Sequence, residues 1–235
     1  MTAAPLSAQV PPRCRVVLPA VVAILLTITH TATLLAEDRA SAVAFSWALI
    51  YQDNQGELRP IDYGLNVVPL ESGDRFKFYL KPLKPCYLYL YLYDSDKNLY
   101  LLFPENLEPR EHNAELARNF ELPGVNSWFY LDEQGGIELF YLIASPRRLH
   151  ELERKTARYM EGQPAQSQNA RSLSGKHEVL DAIRRLVKEN SYLSDAAEKP
   201  IAVAGDFRGV RQEHELNGIR IEAADVYVKT IRLQH

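Results

Sequence analysis

Cysteine is scarce in this 235-residue sequence, which contains only Cys14 and Cys86. If the N-terminal stretch 1–36 is removed, Cys86 stays alone, and one cysteine cannot form an internal disulfide. The fold must therefore depend on its hydrophobic core. Cys86 begins an apolar run, so we expect it to be a small buried hydrophobic residue.

The sequence also lacks a basic block and any familiar catalytic signature. Its 27 Lys and Arg and 30 Asp and Glu are spread along the chain, which makes nucleic acid a poor candidate partner. No P-loop, G-x-S-x-G or zinc signature occurs, and no two histidines have the spacing H-x-x-x-H. We predict no catalytic residues, cofactor or metal ligands, although residues distant in sequence could still form a catalytic pair in space.

The N-terminal stretch 1–36 has the layout of an export signal. Arg13 and Arg15 precede an uncharged apolar run, 16–28, and the first acid is Glu37. A positive start, an apolar centre and a neutral end are typical of a secretory signal peptide. We therefore predict an exported protein, in the periplasm or on the outer face of the inner membrane.

Cleavage and anchoring are alternatives for the same segment. Cleavage could follow Ala36 or Ala42, and we favour it. The stretch 16–36 is also close to the roughly 20 apolar residues that a membrane-spanning helix needs. Membrane contact is expected only through this stretch, and only if it stays uncleaved.

A tyrosine-rich run, YLYLYLY at 87–93, is the most unusual part of the chain. Neighbouring side chains of a strand point to opposite faces, so the leucines should share one face and the tyrosines the other. We predict a central strand with its leucines towards the core. The tyrosine face is our candidate binding face: Tyr87, Tyr89, Tyr91 and Tyr93.

Two readings of the tyrosine face stay open. If exposed, it would form a flat aromatic platform for a sugar ring or for an apolar patch of a partner. Alternatively, the amphipathic helices predicted later in the chain cover it. We favour coverage, because exposed apolar strips of this size are uncommon on monomers.

The run DSDKN at 94–98 predicts a hairpin tip. Asp94, Asp96 and Asn98 also match the first, third and fifth positions of a calcium-binding EF-hand loop. However, Leu99 stands where that loop needs glycine, and the flanking segments are strand-like rather than helical. We therefore prefer a solvated turn to a calcium site.

Glu138 is an acid inside the apolar run IELFYLIA at 137–144. It could be a buried acid and hence a site candidate. The alternative is an outward-facing residue on a half-exposed strand, because Ile137, Leu139 and Tyr141 alternate with it. We favour the outward orientation.

The remaining pattern predicts a mainly β fold with late helices. Strand-like runs recur about every ten residues, which is typical of an antiparallel sandwich. Ser145 and Pro146 suggest the start of a helix, 162–175 reads as a linker, and 176–190 reads as a second helix. We predict an antiparallel Ig-like β-sandwich over 37–235, with two helices inserted at about 146–195, before the last strand.

Three segments resemble a known bacterial family, the domain of unknown function DUF4384: SGDRFKFYLKP (72–82), YLYLYLYDSDKNLYLLFPEN (87–106) and GGIELFYLIAS (135–145). The shared features are a Ser-Gly-Asp turn, a tyrosine-rich strand, a hairpin that returns to Leu-Phe-Pro, and a Gly-x-Glu strand. Lys97 and Asn98 depart from the family, which usually has glycine there. The resemblance implies an all-β envelope module with no established activity or catalytic residues.

Our leading hypothesis is a non-enzymatic envelope module that acts through contacts with another envelope protein. The alternative is a small envelope hydrolase or a carbohydrate-binding accessory that uses the hairpin end of the sandwich. An uncovered tyrosine face would support binding. A pocket that joins Glu138 or Asp74 to a histidine would favour an enzyme.

Overall fold

The computed structural model describes residues 42–62, 64–107, 116–131, 133, 135–161, 170–190, 197–203 and 216–235. They all fall within one compact unit, Ser41–His235. The predicted signal peptide or anchor at 1–36 lies outside the described residues. Within the described ranges, no helix combines the length and the apolar character needed to cross a bilayer.

Two sheets form the body of the protein, and the first is sheet A. Five of its strands follow one another in space: β10 (Ala197–Val203), β11 (Leu216–Ala223), β1 (Val43–Gln52), β4 (Arg75–Pro82) and β7 (Phe120–Leu122). Two short strands complete it, β2 (Leu58–Pro60) beside β1 and β8 (Phe129–Tyr130) beside β4. All its pairings are antiparallel.

Sheet B contains five strands in the spatial order β3 (Val68–Pro69), β12 (Tyr227–Gln234), β9 (Ile137–Ser145), β5 (Tyr87–Tyr93) and β6 (Leu99–Phe103). Its pairings are antiparallel except for the parallel pair of β12 and β3. The fold is therefore mainly β and sandwich-like, as predicted. The tyrosine-rich strand β5 lies inside sheet B, between β9 and β6.

The two described helices, α1 (His150–Glu161) and α2 (Ala170–Asn190), lie between β9 and β10, so three strands follow them. Helix α1 begins later than Ser145 and Pro146 suggested. Ser145 ends β9, and its hydroxyl binds the backbone of Arg147 in a local turn. Helix α2 begins inside the predicted linker, of which 162–169 lies outside the described residues.

The main core fills the space between the sheets. Alternate residues of β4, β5 and β9 point into it, as the period of a strand requires. The core side chains of these strands are Phe76, Phe78, Leu80, Leu88, Leu90, Phe140 and Leu142. Cys86 belongs to this core with no exposed surface, and burial raises the pKa of its thiol to about 12. A neutral buried thiol is a packing residue rather than a nucleophile.

Candidate functional site

The tyrosine face of β5 is covered rather than open. Tyr89 and Tyr91 have no exposed surface, and Tyr87 and Tyr93 are half-buried. Helices α1 and α2 lie over them with an apolar layer formed by Leu152, Tyr159, Val179, Leu180 and Ile183. The proposed four-tyrosine platform is therefore absent from the surface, because the helices bury their own apolar faces against it.

Polar contacts hold these tyrosines to α1. The Tyr89 hydroxyl donates to Glu153 Oε1 at 2.6 Å, and Arg148 Nε donates to Glu153 Oε2 at 2.5 Å. Tyr91 and Thr156 are hydrogen-bonded through their hydroxyls at 3.0 Å. Burial, and next the bond to Glu153, raise the pKa of Tyr89 above its ordinary value. These neutral phenols connect the helices to sheet B.

The run 94–98 forms the predicted hairpin tip. The backbone N–H of Lys97 donates to Asp94 O at 2.9 Å, and Lys97 has a φ of 66°. This is a three-residue loop that ends in a left-handed residue. The two carboxylate oxygens of Asp94 accept hydrogen bonds from Asn98, one from its backbone and one from its side chain. Asp94 thus closes the turn.

Glu138 is buried, and the predicted outward orientation is wrong. It is 8% exposed and lies on the same side of β9 as Phe140, facing the space between the sheets. Both sides of β9 are apolar, because α1 and α2 cover the other one, so alternation alone could not identify its solvent side. Glu138 Oε1 accepts a hydrogen bond from the backbone N–H of Ser95 at 3.1 Å.

His235 lies beside Glu138 and was not singled out from the sequence. Its Nε2 is 3.7 Å from Glu138 Oε1, and only 2% of its side chain is exposed. Its Nδ1 is buried, and none of the residues that the structure describes forms a hydrogen bond with it. The pairing of β12 with β9 sets Leu233 opposite Glu138, and His235 follows on the same side as Leu233. Extending the alternation of β12 by two residues would have placed this imidazole in the core.

Two glycines allow the segments around Glu138 to approach closely. A Cβ at Gly136 would lie 2.4 Å from Ser95 Cβ, and a Cβ at Gly135 would lie 3.1 Å from the backbone oxygen of His235. Any larger residue at Gly136 would push away the hairpin tip. The glycines thus let the tip, the start of β9 and the end of β12 meet.

A pocket opens where these segments meet, and we call it the hairpin-end pocket. Its volume is about 170 Å³. Its polar lining comes from Asp94, Ser95, Asp96, Glu138 and His235. Its apolar lining comes from Phe76, Leu92, Phe129, Tyr130, Leu131 and Phe140. Tyr130 is 67% exposed, so a large aromatic side chain stands beside buried polar groups.

Asp74, the other acid considered for a site, has a structural role. It is 3% exposed, and its Oδ2 accepts a hydrogen bond from the backbone N–H of Glu71 at 2.9 Å. Its backbone oxygen accepts from Leu131. Asp74 thus holds the turn before β4 and is not in the lining of the hairpin-end pocket.

A wider groove of about 310 Å³ separates α1 and α2. Leu149, Leu152, Ala182 and Leu186 contribute to its apolar lining. Two arginines of the groove form ion pairs, Arg185 with Glu151 and Arg148 with Glu153. Across the part of the chain that the structure describes, no group of three or more His, Cys, Asp or Glu could hold a metal ion.

Comparison with known proteins identifies one family. No curated protein and no solved structure matches the chain. The model of the family "Domain of unknown function (DUF4384)" matches residues 70–148. The match includes β4, the tyrosine-rich strand, the hairpin tip and Glu138, whereas His235 lies beyond it. The match confirms the predicted resemblance to the DUF4384 family for residues 70–148.

Proposed function

We propose that this protein is an exported, non-enzymatic accessory module of the cell envelope that acts by contacting another protein. Its location would be the periplasm or the outer face of the inner membrane. The positive, apolar and neutral parts of 1–36 support export. The contact site would be the hairpin-end pocket and its rim.

The observation that carries the binding proposal is the exposed ring of Tyr130 at the mouth of a polar pocket. Tyrosine is enriched at the centres of protein interfaces, where its ring is buried and its hydroxyl finds a partner. Arg75 Cζ lies 5.8 Å from the centre of this ring, which orients the ring on the surface. An aromatic residue beside a pocket is the arrangement expected of an interface anchor.

Site-specific photocrosslinking in native cells tests this proposal. A photoreactive phenylalanine analogue replaces Tyr130 in one strain and Met160 in a control strain. Met160 is a useful control because it lies on α1, away from the pocket lining, and is 45% exposed. We expect a discrete protein adduct from position 130 and none from position 160.

The reverse pattern, or no adduct at either position, would contradict contact through the hairpin end.

Export is tested separately by fusing residues 1–45 to a reporter enzyme that is active only outside the cytoplasm. We expect reporter activity, and its loss when a charged residue replaces an apolar residue within 16–28. An active reporter in that variant would contradict a signal-like role for the segment.

A second function, a small envelope hydrolase or carbohydrate-binding accessory, is favoured by one observation. The pocket joins Glu138 to a histidine, and a carboxylate that orients an imidazole is a recurring part of hydrolytic sites. We prefer protein binding because Ser95, a serine of the lining that could act as a nucleophile, packs its side chain against Gly136. Ester or glycoside hydrolysis that His235→Gln abolishes would decide for the enzyme.

A further inference from the structure

The hairpin-end pocket is acidic. Three of its lining residues, Asp94, Asp96 and Glu138, carry carboxylates, and no lysine or arginine is among the lining residues. Asp94 keeps its charge while it accepts hydrogen bonds from the neutral Asn98, so all three carboxylates contribute to the potential inside. A small concave site with one sign of charge concentrates ions of the opposite sign. The charge of the lining therefore selects a cation.

His235 adds a buried nitrogen, Nδ1, that has no hydrogen-bond partner among the described residues. Its Nε2 faces the Glu138 carboxylate, and a neutral imidazole that donates towards this carboxylate carries its proton on Nε2. In that tautomer, Nδ1 is a hydrogen-bond acceptor, and it is buried without a donor. A buried polar atom without a partner destabilises the folded protein, so a ligand that brings an N–H donor would remove this cost.

The apolar lining suits a ligand with an alkyl stem. Phe76 and Phe129 stack with their ring centres 5.2 Å apart, and Phe140 meets Phe76 edge-on at 5.6 Å. Tyr130 stands beside them with most of its ring in solvent. Aromatic faces attract ammonium and guanidinium groups, and they also pack against the methylene groups that carry them.

The size of the pocket restricts the ligand to one functional group and a short stem. Its volume of about 170 Å³ lies below the roughly 300–1,000 Å³ of pockets that enclose whole drug-sized molecules. We propose that the hairpin-end pocket binds the ammonium or guanidinium group of a lysine or arginine side chain of the partner protein. This inference rests on the proposed function and specifies the chemistry of its contact.

The binding test uses isotope-labelled chain purified after expression of the full sequence, observed by NMR. The probes are the blocked single amino acids N-acetyl-lysine methylamide and N-acetyl-arginine methylamide. N-acetyl-norleucine methylamide, which has a similar stem without charge, is the matched neutral probe. N-acetylglucosamine tests the carbohydrate alternative. We expect saturable shifts at Ser95, Tyr130 and Glu138 with a basic probe and none with the neutral probe or the sugar.

Two variants assign the binding to the pocket. Glu138→Gln should weaken a basic probe about tenfold or more, because a charge-assisted hydrogen bond is lost. Asp96→Asn leaves the buried residues intact and should weaken it about threefold. Asp225→Asn, an exposed acid outside the pocket lining, should have no effect. Equal binding of the neutral probe, or unchanged affinity in both pocket variants, would overturn the proposal.

The crosslinking experiment separates this proposal from the broader function. If the adduct at position 130 forms equally well in an Asp96→Asn background and in a Glu138→Gln background, the chain contacts a protein but not through a basic side chain in the pocket. In that case this inference fails and the proposed function stands. If no adduct forms in the wild-type background, the proposed function fails, whatever the probes show.

Discussion

Glu153 and Glu138 are two buried carboxylates with different surroundings. Glu153 accepts short hydrogen bonds from a phenol and a guanidinium, and both donors are held within the layer between α1 and sheet B. Glu138 accepts one backbone N–H at 3.1 Å and has an imidazole at 3.7 Å, beside a pocket. The hydrogen bonds of the Glu153 carboxylate are supplied within the protein, whereas the Glu138 carboxylate can still accept a hydrogen bond from a ligand.

This difference predicts a role in stability for Glu153 and a role in binding for Glu138. A buried charge is tolerated when its partners satisfy it, and removing one partner then leaves the other charge unpaired. A buried charge that is only partly satisfied adds little to stability but offers a preorganised acceptor. We therefore expect substitutions near Glu153 to destabilise the protein and substitutions near Glu138 to change what it binds.

The largest expected effect comes from Glu153→Gln. The substitution keeps the shape of the side chain but leaves the mostly buried Arg148 without its counter-charge. Breaking such a pair costs about 3 kcal/mol or more. Urea unfolding should show this loss as a lower midpoint with an unchanged slope. A loss below about 1 kcal/mol would remove the distinction between the two glutamates.

Tyr89→Phe tests the same network from its other side and should have a smaller effect. It removes the hydroxyl that donates to Glu153 and accepts from the Leu149 N–H, and it leaves Arg148 in place. We expect a loss of about 1–2 kcal/mol, because Glu153 loses one of its donors while the ring still fills its site. Tyr91→Phe is the matched control. Since its partner Thr156 also donates to Leu152 O, it should cost less. An equal loss in both variants would show that Glu153 does not determine the cost.

Lys97→Gly concerns the hairpin tip and should raise stability slightly. Lys97 has a φ of 66°, a conformation that costs a side-chain-bearing residue about 1–2 kcal/mol. Glycine removes that strain but adds freedom to the unfolded chain, so the net gain should be about 0.5 kcal/mol. Asp96→Gly, in the same turn, should give no gain. Thermal unfolding of the two variants measures the difference, and destabilisation by Lys97→Gly would contradict the strain.

The sequence predicts the sandwich because the alternation that indicates a strand is a pattern of neighbouring residues. Alternation in β4 and β5 correctly sets the leucines of the tyrosine-rich strand towards the core, and the apolar stripes of the helices favoured a covered tyrosine face. The hairpin-end pocket depends on contacts between distant segments. Glu138 meets Ser95 and His235 only because β9 pairs with both β5 and β12, and no local pattern specifies those neighbours.

The smallest expected loss of stability comes from Glu138→Gln. Glutamine keeps an oxygen that can accept from the Ser95 N–H, so the main contact survives without the charge. The pair with His235 is long at 3.7 Å, and its loss should change the free energy of unfolding by less than about 1 kcal/mol. Urea unfolding beside Glu153→Gln measures the contrast directly. A loss as large as that of Glu153→Gln would mean that Glu138 is a structural residue and is not reserved for a ligand.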